Sequence, residues 1–217
     1  MSDDILAVFA RRPTPGLSKT RLGASPEWNA AVAEALLRDT LTRLAGAAAR
    51  RFLAGTPSEQ LGDLASLAGP AFTVVDQGDG DLGQRLLSFI DAHWHEGARI
   101  VIIGSDSPTV PVEWIGEAFA LLRRVDVVLG PATDGGYYLV GCSRPVPIFD
   151  GIPWSSGDVL AKTVERLQSG PWSLALLPPW YDIDTPESWA MLRGHVAALR
   201  RAGIDPGIPH TEALLRS

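Results

Sequence analysis

A chain of 217 residues with 46% hydrophobic and 20% charged side chains is long enough for one α/β core and too apolar for extensive disorder. Its formal net charge of -6 excludes a sequence-independent grip on nucleic acid, which needs a field of Lys and Arg to displace counterions. The single cysteine, Cys142, excludes an internal disulfide or a thiolate zinc cage, and no apolar run nears the ~20 residues of a membrane span.

The chain is read as one domain over residues 1–217. It opens on Met1-Ser2-Asp3-Asp4, acidic rather than basic, so the expected location is the cytoplasm, with no membrane partner. A short β-type run over 5–10 leads into a polar loop rich in Pro and Gly. Leu36, Leu37, Leu41 and Leu44 then fall at helical spacing and predict a helix over 27–45. Strands are expected over 51–55 and 72–76, a helix over 82–94, a strand over 100–105 and a helix over 112–122. Two strands follow in close succession, 125–130 and 137–141, then a helix over 159–167, a strand over 174–177 and a helix over 186–201. Gly203, Pro206, Gly207 and Pro209 break that helix before a short segment over 211–215, which packs either on the body or on the neighbouring chain of a homodimer. This alternation predicts an α/β fold, a mainly parallel twisted sheet with helices on both faces. The strand over 137–141 follows its predecessor too closely for a helical crossover, so it is expected to be antiparallel or shifted to an edge.

The chemistry concentrates in the loops after strands. The first strand runs into Arg11-Arg12-Pro13-Thr14-Pro15-Gly16-Leu17-Ser18-Lys19-Thr20-Arg21. Lys19 and Arg21 offer a point charge and a planar fork to phosphate oxygens, and Gly16 allows close backbone approach. A solvated turn with exposed loop charges explains the same residues, but the position after the first strand of an α/β sheet favours phosphate. The apolar run over 100–104 delivers Asp106 to the C-terminal sheet edge, where α/β proteins bind ligands, although a turn before Pro108 also accounts for that carboxylate. The next strand leads to Asp134-Gly135-Gly136-Tyr137-Tyr138, which suits either a hairpin turn or a backbone approached closely by a ligand. In Tyr181-Asp182-Ile183-Asp184-Thr185-Pro186, Thr185 reads as a helix N-cap and Pro186 as the first helical position; the aspartates remain unexplained by capping. Asp106 and Asp184 from separate loops would make a two-carboxylate Mg²⁺ site completed by phosphates and water.

Other conspicuous residues take the plainer reading. His93 and His95 sit two apart on a predicted helix and point to different sides. Asp79-Gly80-Asp81 is a turn leading into the N-terminus of the helix at Leu82, where acids suit the dipole. Cys142 is a small buried residue, and Trp154 in a Pro-rich segment is placed to line a cleft.

In order, these segments resemble a family of bacterial GT-A-like transferases, of the nucleotide-diphospho-sugar transferase type, labelled arsenosugar-biosynthesis glycosyltransferases or radical-SAM/selenodomain-associated transferases. The resemblance rests on residues 9–22 with Lys19-Thr20-Arg21-Leu22, on Gln77 with Gly80-Asp81-Leu82-Gly83 and Arg85, and on Gly104-Ser105-Asp106-Ser107-Pro108. It continues in Gly130-Pro131 with Asp134-Gly135-Gly136-Tyr137-Tyr138, in Pro153-Trp154-Ser155, and in Asp182-Ile183-Asp184-Thr185-Pro186. Each piece alone is common; six in one order are not. More distantly the family is similar to guanylyltransferases. The resemblance implies that Asp106 and Asp184 hold Mg²⁺ or Mn²⁺, that Arg11, Gly16, Lys19 and Arg21 meet nucleotide phosphates, and that Gln77, Asp81, Gly83 and Arg85 lie near the base or sugar. Gly135, Gly136, Tyr137 and Trp154 would face a small-molecule acceptor. Sugar transfer from a nucleotide donor, with Mg²⁺ stabilising the departing diphosphate and Asp134 activating an acceptor hydroxyl, is the leading expectation. Nucleotidyl transfer to a phosphorylated small molecule, with Lys19 and Arg21 stabilising charge on the transferring group, is the alternative, and a nucleotide-binding module without turnover is the third.

Overall fold

Ile5, Leu6, Ala7 and Val8 have no exposed surface and form the centre of β1 (Asp4–Arg11) in the computed structural model, which describes residues 3–216. A strand buried on both faces needs cover on both sides. Six further strands supply the sheet: β2 (Arg50–Thr56), β3 (Thr73–Asp76), β4 (Arg99–Gly104), β5 (Val127–Pro131), β6 (Tyr137–Cys142) and β7 (Leu174–Leu176). Their order is β3-β2-β1-β4-β6-β5-β7. All neighbouring pairs are parallel except those made by β6, which runs antiparallel to both β4 and β5. The short connection therefore does produce an antiparallel strand, but in the interior of the sheet rather than at an edge.

Alternation along the strands sorts the core into two layers. Leu6, Val8, Leu53, Val101 and Ile103 face α1 (Pro26–Leu44), α2 (Leu61–Ala68) and α4 (Glu113–Leu121). Ile5, Ala7, Phe52, Ile100 and Ile102 face α3 (Leu82–His93) and α5 (Val159–Gln168). The helix α2 is absent from the expected elements. Leu61, Leu64 and Ala68 carry its helical spacing, but it is two turns long and interrupted by Gly62.

A third cluster, with Leu22, Val32, Leu36, Ile183, Leu192, Val196 and Ile208, joins α1 to α6 (Pro186–Arg201) and to the chain entering α7 (Pro209–Leu215). The tail thus packs on its own body. Asp39 of α1, fully buried, accepts hydrogen bonds from His210 N (3.1 Å) and Thr211 N (2.7 Å), satisfying donors at the start of α7. Asp39→Ala leaves those donors without their partner and is expected to lower stability by about 1–3 kcal/mol in urea unfolding. An unchanged unfolding midpoint would show that α7 is held by its apolar contacts alone. No helix among the described residues is long and apolar enough to cross a membrane.

Candidate active site

Parallel pairing sets which loops become neighbours. Phe9 of β1 lies opposite Gly104 of β4, so the loop after β1 and the loop after β4 leave the same sheet edge side by side. The 181–184 segment is drawn to that edge by backbone bonds: Trp180 N donates to Pro131 O, Thr133 N to Trp180 O, and Ile183 N to Asp106 O (2.9 Å). Ile183 is fully buried in the third cluster, and alternation in this extended stretch sends Asp182 and Asp184 the other way. The helix that follows starts as expected: Thr185 and Ser188 form a capping box, with Pro186 in the first turn.

These constraints bring Asp106 and Asp184 together. Lys19 Nζ lies 2.7 Å from Asp106 Oδ1 and 2.7 Å from Asp184 Oδ1, so the two carboxylate oxygens are separated by at most twice that length. Arg21 donates to the second oxygen of Asp184 at 2.7 Å. Arg21 is exposed, as expected of a loop charge, but the Lys19 side chain is only 6% exposed, so the alternative of a solvated turn does not hold for Lys19. Burial opposes its charge, yet the two carboxylates outweigh burial and hold the lysine pKa above its usual value. Two carboxylates converging on one cation fit Mg²⁺ or Mn²⁺, which take one or two protein carboxylates and complete their shell with phosphate and water. Among the described residues no group of three or more His, Cys, Asp or Glu is assembled to hold a metal.

The carboxylates border a cleft of about 710 Å³ lined also by Arg21, Leu82, Asp134, Gly136, Tyr137, Trp154, Ser155, Ser156 and Asp182. The expected acceptor-side residues Gly136, Tyr137 and Trp154 do face it. Gly135 serves the scaffold: with φ +92° it packs directly on the Gly157 backbone, and its carbonyl accepts from Leu160 N (2.9 Å) at the start of α5. Asp134 Oδ1 accepts from Gly136 N (2.9 Å), which shapes the same turn. A second cavity, about 680 Å³, is lined by Thr133, Trp180, Tyr181, Met191 and His195 among others and shares no residue with the cleft. It contains neither Asp106 nor Asp184.

The expected nucleotide contacts divide. Arg11 is exposed and lines a smaller hollow with Phe9, Lys19 and Asp106; Gly16 is exposed with φ +77°. Three others are occupied by the fold. Gln77 is buried and its amide nitrogen donates to Ala10 O and Ala54 O, tying β1 to β2. Asp81 caps α3 through Gln84 N, and Gly83 is a packing position, since a Cβ there would meet Phe149 O and the Trp154 ring. Arg85 is half-buried, and its Nε has no hydrogen-bond partner.

Asp182 is the residue whose environment the sequence did not disclose. Burial pushes its pKa up, the Ser107 hydroxyl donates to it and pulls the other way, and Asp106, Asp134 and Asp184 raise it further, to about 7. An unperturbed aspartate titrates near 3.8, so between that pH and about 7 the folded chain retains a proton that the unfolded chain has lost. The stability from this group is therefore present below the window and lost as pH rises through it. Asp182→Asn is expected to raise Tm at about pH 8 and to leave it nearly unchanged at about pH 4, both in chelator. A Tm equal to that of the parent protein at pH 8 would show that the neighbouring carboxylates do not strain Asp182.

Residues 37–156 match the family described as an uncharacterized protein conserved in bacteria, DUF2064. The chain is 37% identical over 156 residues to 3-phospho-D-glycerate guanylyltransferase of Phenylobacterium zucineum (strain HLK1), covering 68% of this chain and 69% of the relative. Among solved structures, it superposes with TM-score 0.84 and 30% identity on a protein from Desulfovibrio desulfuricans G20 that carries the provisional name nucleotide-diphospho-sugar transferase. That match covers 100% of this chain and 98% of the other. The 4-diphosphocytidyl-2C-methyl-D-erythritol synthase of Anaerococcus prevotii DSM 20548 shares the fold at TM-score 0.59 and 11% identity, over 89% of this chain and 96% of its own.

Proposed function

From a chain that belongs to the bacterial DUF2064 family and is a transferase, we propose nucleotidyl transfer: a nucleoside triphosphate, GTP by analogy with the guanylyltransferase relative, gives its nucleoside monophosphate to a small phosphorylated acceptor. The observation that carries this reading is the convergence of Asp106 and Asp184 on one cationic position beside the cleft, with Arg21 on the cleft wall. Similarity to the guanylyltransferase moves the preference away from sugar transfer, and nothing in the site favours the arsenosugar label.

In this reaction an acceptor oxygen attacks the α-phosphorus, the bond from that phosphorus to the β-bridging oxygen breaks, and pyrophosphate leaves. Asp106 and Asp184 would hold a divalent ion, which would supply positive charge to the polyphosphate. Arg21, presenting a planar fork at the cleft, steadies the departing charge, and Lys19 supplies a second cation once it turns to phosphate. Leu82, Tyr137 and Trp154 give the cleft apolar walls that orient what enters.

With GTP, 3-phospho-D-glycerate as acceptor and Mg²⁺, the expected result is pyrophosphate release in step with acceptor consumption. Release of GDP from a GDP-sugar, without pyrophosphate from GTP under any acceptor tried, would return the assignment to sugar transfer. The two reactions also differ in what they ask of Asp134. A phosphate oxygen is already ionised and needs no base, whereas a sugar-transfer acceptor hydroxyl does. Asp134→Asn preserves an oxygen for Gly136 N and is expected to keep kcat within about fivefold; a loss beyond about a hundredfold would reinstate Asp134 as a base.

A further inference from the structure

The carboxylates assigned to the divalent ion already share a cation. Lys19 Nζ touches Asp106 and Asp184 at 2.7 Å each, and its backbone adopts φ +50°, a left-handed conformation uncommon outside glycine. The loop holds it there: Ser18 N donates to Thr14 O, Thr14 N to Ser18 Oγ, and Leu22 N to Lys19 O. An ammonium and a divalent ion cannot both sit at contact distance between the same two oxygens. For a metal to bind there, Lys19 Nζ must leave. A buried ammonium leaves only for another anion, because an unpaired charge out of water is strongly disfavoured. The cleft wall carries Arg21, itself paired to Asp184, among four aspartates, so an anion such as phosphate is accommodated there only together with a cation that offsets those acids.

We propose that Lys19 is a built-in competitor for the cation, so the site accepts divalent metal and polyphosphate as a pair rather than either alone. The polyphosphate draws Lys19 off Asp106 and Asp184, and the metal takes the position it vacates. This rests on the two-carboxylate reading of the site. Its consequence is reciprocal coupling, each ligand strengthening the other by the same factor.

Mn²⁺ binding by the full chain without nucleotide, read from the free-ion paramagnetic resonance signal, tests the competition directly. Lys19→Met is expected to bind Mn²⁺ at least about tenfold more tightly than the parent protein, because the two carboxylates are left without their cation. Equal affinities overturn the proposal. Should Lys19→Met fail to fold, the Lys19 side-chain ¹⁵N resonance of the parent protein decides instead. It is expected to stay in place with Mg²⁺ alone and to shift with the Mg²⁺ complex of inorganic tripolyphosphate. Movement with Mg²⁺ alone, or none with the complex, overturns it as well. Because neither arm contains a nucleotide or an acceptor, a tenfold gain in Lys19→Met would stand even if GTP yielded no pyrophosphate, and that failure would fall on the reaction alone.

Discussion

Asp106→Asn is expected to lower kcat/KM for pyrophosphate release from GTP by at least about a hundredfold while leaving Tm within a few degrees of the parent protein. The two readouts separate because Asp106 does two things with different atoms. Its carboxylate faces the cation position, paired to Lys19 at 2.7 Å. Its backbone carbonyl accepts from Ile183 N at 2.9 Å and so keeps the 181–184 segment at the sheet edge whatever the side chain is. Asparagine removes the charge and retains the backbone bond. Asp184→Asn should behave in the same direction, with Lys19 left to Asp106. Turnover within about threefold of the parent in either variant would remove the carboxylate pair from the mechanism, and with it the proposed metal position.

The second large effect is structural and reaches the cleft indirectly. Gly135→Ala is expected to destabilise the protein by about 2–4 kcal/mol, the combined result of a positive φ imposed on a residue with a Cβ and a collision with backbone rather than with a movable side chain. At φ +92°, a methyl group on Gly135 would overlap the Gly157 carbonyl. Relief requires the 134–136 turn to separate from the 155–157 stretch, breaking the Leu160 N to Gly135 O bond and shifting Asp134, Gly136 and Ser155 on the cleft wall. Urea unfolding should show the loss, and nucleotide affinity should fall with it. Gly136→Ala is the contrast, since the nearest atom to its Cβ is a carboxylate oxygen of Asp134, which can rotate. If the two variants are equally stable, the turn is not seated on Gly157 in solution.

Several features of the site could be read from spacing alone. Thr185 as an N-cap and Pro186 in the first helical turn follow from local hydrogen bonding and a fixed φ, forces that act within four residues. Asp106 at the end of an apolar run is placed by the strand that precedes it. The signal for Asp182 lies in Asp182-Ile183-Asp184, where burying the middle residue of an extended stretch sends both acids to one side. Ser107, the hydroxyl that bonds Asp182, carried no signal of its own. Gln77, placed near the base or sugar by resemblance, has its amide nitrogen engaged in tying two strand ends, a use that no local pattern announces.

The sequence by itself determined the seven strands, most of the helices and that β6 would not join its predecessor by a helical crossover, because periodicity, capping and connection length are local quantities fixed within a dozen residues. It also determined which loops would carry carboxylates and cations to the C-terminal edge. Only the tertiary structure decided that β6 inserts between β4 and β5, and that Lys19 lies buried against a carboxylate 165 positions away. It alone decided that Asp182 is crowded by three other acids. Those outcomes depend on charges from separate loops meeting in one place of low dielectric, where interactions negligible between distant points in an open chain become strong enough to set the protonation and position of a side chain.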